Sequence, residues 1–384
     1  MLWLETDHIL PNGEAAALVS QKEPVEYLTG SLFQNATQLE RALARYQTVS
    51  EAKSNAPEGA AVGFITYEGD FEFGFYPELK VCSASDWPFS EKTFYQASGF
   101  VSSLEEKEYI EKVQALQSYI ESGDIYQANL TRQIRGNFEG STRTLFSQMK
   151  RFSPAPFSAY LELPSRTILS ASPELFLRFS SRRVTTCPIK GTRPRFRDAM
   201  VDQQSAFDLI RSEKELAELI MITDLERNDL GKICEYGSVE VEELVARRSF
   251  SHVHHLMSVI QGWLRPEISQ MEALKNCFPG GSITGAPKKR AMEIIRELEG
   301  QPRGLYTGAI GYFGFNGESQ FNIAIRTLEI RENHFSFGVG SGITIDSDPQ
   351  KEFQETEHKA AGLFQALNYF SKLSAQRLKA KEPN

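Results

Sequence analysis

The strand-like stretches of this chain arrive in runs with helices set between the runs, and that order constrains the fold more than any single motif. From Ala60 to Val81 the sequence AAVGFITYEGDFEFGFYPELKV is rich in aromatic residues and broken by a turn-forming EGD, which predicts strands of an antiparallel sheet. Further strands are expected near RTILSASPELFLRFS (166–180) and RRVTTCPIKG (182–191). More follow in GLYTGAIGYFGF (304–315), FNIAIRTLEIR (321–331) and HFSFGVGSGITI (334–345). Between them, Tyr109, Val113, Leu116 and Ile120 recur at helical spacing, with Gly123 as the stop. Two long helices are expected over Met200 to Asp229 and Pro287 to Leu298, and a last one from Pro349 to Leu373. SDWPFSEK (85–92) reads as a linker. A regular βαβ alternation is absent, so the fold class expected is α+β with antiparallel sheets.

Composition excludes several classes of function. The 384 residues carry a net charge of −8 and no long Lys/Arg block, which argues against a nucleic-acid partner, because a phosphate backbone repels an acidic surface. The start, MLWLETDHILPNG, lacks a cationic leader, and no stretch reaches the roughly 20 apolar residues that span a bilayer. Cys82, Cys187, Cys234 and Cys277 are widely spaced with no CxxC pair, as suits reduced thiols. The expectation is a cytosolic protein without membrane contact.

The residues that could do chemistry fall in separate segments. Glu215 and Glu218 share one face of the helix expected in SEKELAELIMITDLERNDLGK, and Glu352, Glu355 and Lys359 share a face of the last helix. One such pair alone reads as a solvated face. Two acidic helices can instead hold Mg²⁺, which takes one or two protein carboxylates and leaves room for substrate oxygens, and spacing leaves these readings open. FPGGSITGAPKKR fails the nucleotide-loop motif, because Gly285 is followed by Ala286 rather than Lys-Ser or Lys-Thr, but it leaves a loop before a helix whose first turn contains Pro287. Gly338, Gly340 and Gly342 either let backbone approach a ligand or mark a bulged strand. His252, His254 and His255 lack ligand spacing for zinc, and one of them could line a pocket as a neutral donor. Glu174, between apolar neighbours, is either a general acid with a raised pKa or a strand-end surface residue.

Lys190, in TTCPIKGTRPRF, is the least ordinary of these residues. At its reference pKa a lysine is neutral in about one molecule in a few thousand at pH 7, a penalty of roughly 4.6 kcal/mol for any nucleophilic role. Desolvation or neighbouring cations can lower that penalty, and Arg193 and Arg195 are candidate neighbours if they turn inward.

Taken together, GDIYQANLTR (123–132), SASPELFL (170–177), PIKGTRPR (188–195), KELAELIMITDLERNDLG (214–231), GGSITGAPK (280–288), RGLYTGAIGY (303–312), FNIAIRT (321–327) and GSGITIDSDPQKEFQETEHKA (340–360) resemble the chorismate-utilising enzyme family. The resemblance covers roughly residues 105 to 370. It implies two orthogonal antiparallel β-sheets forming a sandwich flanked by helices. It also implies a chorismate-binding core over residues 101–376, a short N-terminal region (1–100) partly joining the sheets, and a loose tail (377–384).

The resemblance implies Mg²⁺ on Glu218 and Glu355, supported by Glu215 and Glu352, at the ring carboxylate of chorismate. It implies a grip on the enolpyruvyl carboxylate by Arg326, Tyr306 and the backbone of Gly340, Ser341 and Gly342, with Thr284, His255 and Lys359 also in the pocket. Members that add water carry a lysine base where this chain has Gln127, so hydration is not expected. PIKGT, in place of the PIAGT of members that make anthranilate, resembles the branch that makes 4-amino-4-deoxychorismate for p-aminobenzoate and folate, with Lys190 as nucleophile and Glu174 as general acid. Amination to anthranilate is the alternative, and a non-catalytic chorismate-binding regulator is a third possibility. No cysteine sits in a GxCxG turn, so ammonia is expected from a separate glutaminase subunit. No tryptophan-binding segment is recognisable.

Overall fold

Strand β1 (Leu2–Ile9) sends Leu2 and Leu4 to one side and Trp3 to the other, and all three are buried. A strand with two apolar faces must lie between layers. That pattern recurs through the computed structural model, which describes residues 1–47, 56–88, 93–250 and 253–370. One sheet runs β16 (Gly285–Ala286), β8 (Gln127–Gly140), β20 (His334–Ile343), β19 (Thr327–Arg331), β10 (Thr167–Ser172), β9 (Phe157–Glu162), β1, β2 (Ala15–Ser20) and β6 (Lys80–Ser83), with β7 (Tyr95–Ser102) also on β8. The other runs β13 (Ile189–Pro194), β15 (Val253–Trp263), β12 (Arg183–Cys187), β11 (Leu175–Ser180), β18 (Ser319–Ile323), β17 (Ala309–Gly314), β4 (Ala60–Ile65), β5 (Asp70–Tyr76) and β3 (Glu26–Ser31), with β14 (Glu240–Ser249) on β15. Every strand pairing is antiparallel.

The sheets face each other through Leu4, Leu161 and Ile168 from the first and Val62, Phe64 and Ile310 from the second. Helices α3 (Thr142–Phe152) and α8 (Pro349–Leu367) cover the outer face of the first sheet, against Leu169 and Phe335. Helices α1 (Ala36–Ala44) and α6 (Gln270–Cys277) cover Phe73, Phe313 and Phe321 on the second. Helices α2 (Glu106–Glu121) and α7 (Lys288–Glu299) pack on Leu130 of β8, while Leu209 of α4 (Ala199–Ile210) and Leu219 of α5 (Glu213–Gly231) pack on Leu256 of β15. Two antiparallel sheets flanked by helices are therefore present, as the order of elements predicts.

The chain changes sheet twice at one place. Pro173 and Glu174 carry it from β10 to β11, and Ala324 to Arg326 carry it back from β18 to β19. These crossings are bonded to each other. The Ile323 amide donates to the Glu174 carbonyl at 3.1 Å, the Ala171 amide to the Arg326 carbonyl at 3.1 Å, and the Ser172 hydroxyl to the Ile323 carbonyl at 2.6 Å.

Several expectations need correction. The single helix over Met200 to Asp229 is two, because Ser212 breaks it and its hydroxyl accepts from the Glu215 amide as an N-cap. Pro287 is the N-cap of α7 rather than part of its first turn, and α8 closes at Leu367, where the Asn368 side chain donates to the Phe364 carbonyl. In the expected linker, Trp87 is an anchor, its ring 4.7 Å from Phe146 and 5.2 Å from Trp3. Residues 89–92, the end of the last helix expected at 371–373, and the tail at 377–384 lie outside the described residues.

Phe321 is fully buried, its ring centroid 4.8 Å from Phe313 and 6.3 Å from Phe73. Phe321→Ala is expected to cost about 3–5 kcal/mol, seen as a lower urea midpoint at unchanged slope. A loss under about 1 kcal/mol would show that the cluster refills the space.

Candidate active site

Lys190 is aimed by a bulge. Lys190 pairs with Leu256 and Thr192 with His255, leaving Gly191 as the extra residue at φ +69, a backbone conformation that disfavours side chains. A Cβ on Gly191 would stand 2.8 Å from Leu209 and 3.3 Å from Glu215. The bulge turns the Lys190 side chain into a cavity of about 380 Å³, where its ammonium lies 3.6 Å from Glu218. Arg193 and Arg195 do not join it. Both point outward, with Arg195 paired to Asp202, so they are not the neighbouring cations that the sequence allowed for.

The opposite wall is bare backbone. Gly338, Gly340 and Gly342 alternate along β20 onto one face in unbroken register with β8, which settles them as a close-approach surface and not a bulge. A Cβ on Gly338 would meet the Tyr306 ring at 2.2 Å, and one on Gly342 would stand 2.4 Å from Gln127 Nε2 and 3.5 Å from Lys190 Nζ. Tyr306 lines the cavity as an un-ionised phenol, its pKa raised by burial. A groove of about 560 Å³ on the far side of Tyr306 and Gly338 holds none of Lys190, Glu174 or the acidic helices.

Charge is distributed unevenly. Glu215 and Glu218 enter from α5 and Glu355 from α8, with Lys214 2.9 Å from Glu352 and 3.9 Å from Glu218, and Lys359 2.7 Å from Glu355. Burial raises the Glu215 carboxyl, and repulsion from Glu218 and Glu355 raises it further. At Glu355 burial is outweighed by the Lys359 ammonium, and that carboxyl is held below the ordinary range. Arg326 pairs with no carboxylate among the described residues. It also sits at φ +49, in the left-handed region, at the crossing back to the first sheet. A backbone conformation this unfavourable, holding an unpaired guanidinium in a cavity, suits an anionic ligand.

Glu174, on the other crossing, is buried, and burial raises its carboxyl above the ordinary range. It is not the strand-end surface residue that was the other reading. His255 is also buried. Its Nδ1 lies 3.1 Å from the Gly191 carbonyl and 3.0 Å from the Thr192 hydroxyl, so the Nδ1 proton is given to the bulge and neutral Nε2 is left as an acceptor. Burial, with Arg326 adding to it, lowers its pKa to about 4. His254 points to the other face, toward Asp202 and Ser249, and His252 lies outside the described residues.

Four expected residues are not among those that line the cavity. Thr284 gives its hydroxyl to the Gly280 and Gly281 carbonyls, and Ser341 bonds Tyr109. Glu352 is held by Lys214 and Ser347, leaving its Oε2 buried without a partner, and the buried Gln127 sets its amide on the Lys190 side of Gly342, with Oε1 unpartnered. Sequence reasoning missed Lys214, although its i,i+4 spacing to Glu218 was a signal, and it missed Asn129 and Ser282, which had none.

The donor set suits Mg²⁺. Three carboxylates rim one cavity, Glu215 is strained by like charge, and every donor is a hard oxygen. No three His, Cys, Asp or Glu side chains converge into a closed cage among the described residues, so oxygens from a ligand would have to complete the shell.

Below pH about 6.5 the unfolded chain takes up a proton on His255 that the folded protein, at about 4, refuses, so stability falls with pH across that window. His255 should account for about 3 kcal/mol of that loss. His255→Asn should flatten the decline in urea midpoint between pH 6.5 and 4, and an equally steep decline would place the titration elsewhere.

The family model described as chorismate binding enzyme matches residues 85–365. "Anthranilate synthase component 1 1" of Haloarcula marismortui is 44% identical over 269 residues, covering 70% of this chain and 55% of that protein. "Aminodeoxychorismate synthase component 1" of Bacillus subtilis is 41% identical over 271 residues, covering 71% of this chain and 58% of that protein. The chain thus spans somewhat over half the length of these curated relatives. A putative 2,3-dihydroxybenzoate-specific isochorismate synthase from Bacillus anthracis shares the fold, with a TM-score of 0.78 at 20% identity over 96% of this chain and 95% of that one. No helix among the described residues is long and apolar enough to cross a membrane. With the matched residues spanning the whole cavity, the chain belongs to the chorismate-binding enzyme family.

Proposed function

We propose that this protein is the chorismate-aminating subunit of an aminodeoxychorismate synthase, taking chorismate and ammonia to 4-amino-4-deoxychorismate for the p-aminobenzoate branch of folate synthesis. The observation that carries this reading is Lys190, turned by the Gly191 bulge into the same cavity as buried Glu174 and unpaired Arg326.

Chorismate carries two carboxylates. Arg326 and the amides of the bare glycine strip are placed to receive the enolpyruvyl carboxylate, while Glu215, Glu218 and Glu355 would hold Mg²⁺ near the ring carboxylate. When bound, Mg²⁺ supplies positive charge to a carboxylate that the acidic rim would otherwise repel. The Lys190 amine forms a bond to ring C2, the two ring double bonds shift, and the C4 hydroxyl leaves as water with the Glu174 proton. Ammonia then bonds C4, the double bonds shift back, the C2 bond to Lys190 breaks, and Glu174 recovers a proton from the incoming nitrogen. Two displacements through a covalent intermediate direct nitrogen to C4. His255, neutral and held by the bulge, keeps the loop carrying Lys190 in place. Ammonia would come from a separate glutaminase, in keeping with the "component 1" names of the relatives.

The second reading is anthranilate formation, favoured by relatives of comparable identity that carry that name. Incubation with chorismate, Mg²⁺ and an ammonium salt separates the two. A product with one hydroxyl replaced by an amine and the pyruvyl ether retained supports the proposal, and anthranilate plus pyruvate supports the alternative.

Lys190→Ala should abolish amination at C4 and the protein adduct in intact-mass spectra while leaving the melting temperature near wild type. Normal product from that variant would eliminate the covalent step. Arg326→Gln removes a charged contact worth about 1.5–3 kcal/mol and should raise KM for chorismate about 10- to 100-fold. An unchanged KM would move the enolpyruvyl carboxylate elsewhere.

A further inference from the structure

Behind the cavity lies a second carboxyl that the proposed reaction leaves unused. Glu226, further along α5 than Glu218, is buried and accepts a 2.7 Å hydrogen bond from the Thr186 hydroxyl at Oε2. Its Cγ lies 3.2 Å from where a Cβ on Gly281 would stand, and the next residue, Ser282, faces Glu174 across the cavity lining. Strand register brings the same groups together from the other side. Leu175, adjoining Glu174, pairs with Cys187, adjoining Thr186. One glycine turn and one strand edge therefore stand between the two carboxyls.

The surrounding charges do not compensate Glu226. Asp229, the next acid on that side of α5, is occupied by Lys232 and Lys288, and Lys288 gives further hydrogen bonds to the Cys277 and Pro279 carbonyls. No cation pairs with Glu226 among the described residues, and the neighbouring Cys187 thiol is kept neutral by burial. Glu174 faces Lys190, Lys359 and Arg326 from its own side. With that turn and strand edge between them, the Glu174 charge bears on Glu226, and the two titrate as a pair.

We infer that Glu226 is a positioning residue for the proposed amination, forming with Glu174 a buried carboxyl pair that shares one proton. This rests on the reading of Glu174 as the general acid. Burial raises Glu226 to about 8, with the Glu174 charge as the next cause. Lys190 and Lys359 work against burial at Glu174 and favour its anion. A bound dicarboxylate offsets those cations, so the pair's negative charge passes to Glu226, where Thr186 donates, and the proton rests on Glu174. The acid is then loaded when it is needed.

The test is the pH dependence of kcat, which reports the enzyme–substrate complex, with chorismate, Mg²⁺ and ammonium at saturation. Glu226→Gln keeps the acceptor for Thr186 but removes the charge. It should move the alkaline limb of kcat down by about one pH unit, with KM for chorismate within about twofold of wild type. Thr186→Val, which leaves the Glu226 anion without its donor, should move the limb the same way by less. A purely structural role would scale kcat equally at every pH. Glu174→Gln separates the two ideas. If Glu174→Gln loses turnover while the limb stays put or rises in both other variants, the paired-carboxyl inference falls alone. If Glu174→Gln retains turnover, the general-acid reading falls and takes the inference with it.

Discussion

The two bonded crossings between the sheets are the constraint on which the site depends. Each crossing moves the chain from one layer of the sandwich to the other, and a crossing leaves backbone groups without the ladder that strands provide. Here the crossings satisfy each other, the Glu174 carbonyl through the Ile323 amide and the Arg326 carbonyl through the Ala171 amide. Their side chains are thereby committed to the gap between the sheets, one a buried carboxyl and the other a cation. Neither side chain chose that gap for its own stability. Arg326 is held there against both its backbone preference and the loss of solvation.

Around that fixed pair, the remaining chemistry arrives on elements that hold it by different means. Lys190 comes on an edge strand bent by a glycine bulge, the carboxylates on two helices from opposite sides, and His255 on the strand that pairs with the bulge. The Lys–Glu contacts balance charge among the protein's own groups, and they are of the kind that charged ligands can exchange for other partners. Among the described residues, Arg326 has no such contact to give up.

Much of this was readable in the residues. The runs of strands gave the fold class, and the helical spacing of Glu215 with Glu218 and of Glu352 with Glu355 located the acidic helices. Of the residues the resemblance named, Lys190, Glu174, Glu218, Glu355, Arg326 and Tyr306 are among those that line one cavity. What could not be read is instructive. The first 31 residues form three strands, yet β1 and β2, buried on both faces, show no alternation, and β3 has no buried residue to mark a face. The Ser212 cap was legible as S-x-x-E but was lost inside a longer apolar pattern. Side-chain aim was the hardest quantity. Thr284 and Ser341 fall in the right segments yet spend their hydroxyls away from the cavity, because alternation along β20 and hydrogen bonding in the glycine turn decide which atoms reach it.

The bare strip of Gly338, Gly340 and Gly342 has a consequence for how such a site can change. At Gly338 and Gly340 an added side chain meets the Tyr306 ring or a backbone carbonyl within 2.6 Å, so most of this wall has no room for variation, and at Gly342 the end of the Gln127 side chain would have to move. A lineage that altered its product or an engineer who wished to redirect it would be confined to the facing wall, where Lys190, His255 and the α5 carboxylates stand. One half of the site is a mould and the other half is the tool, so new reactivity can be introduced without disturbing how the substrate lies.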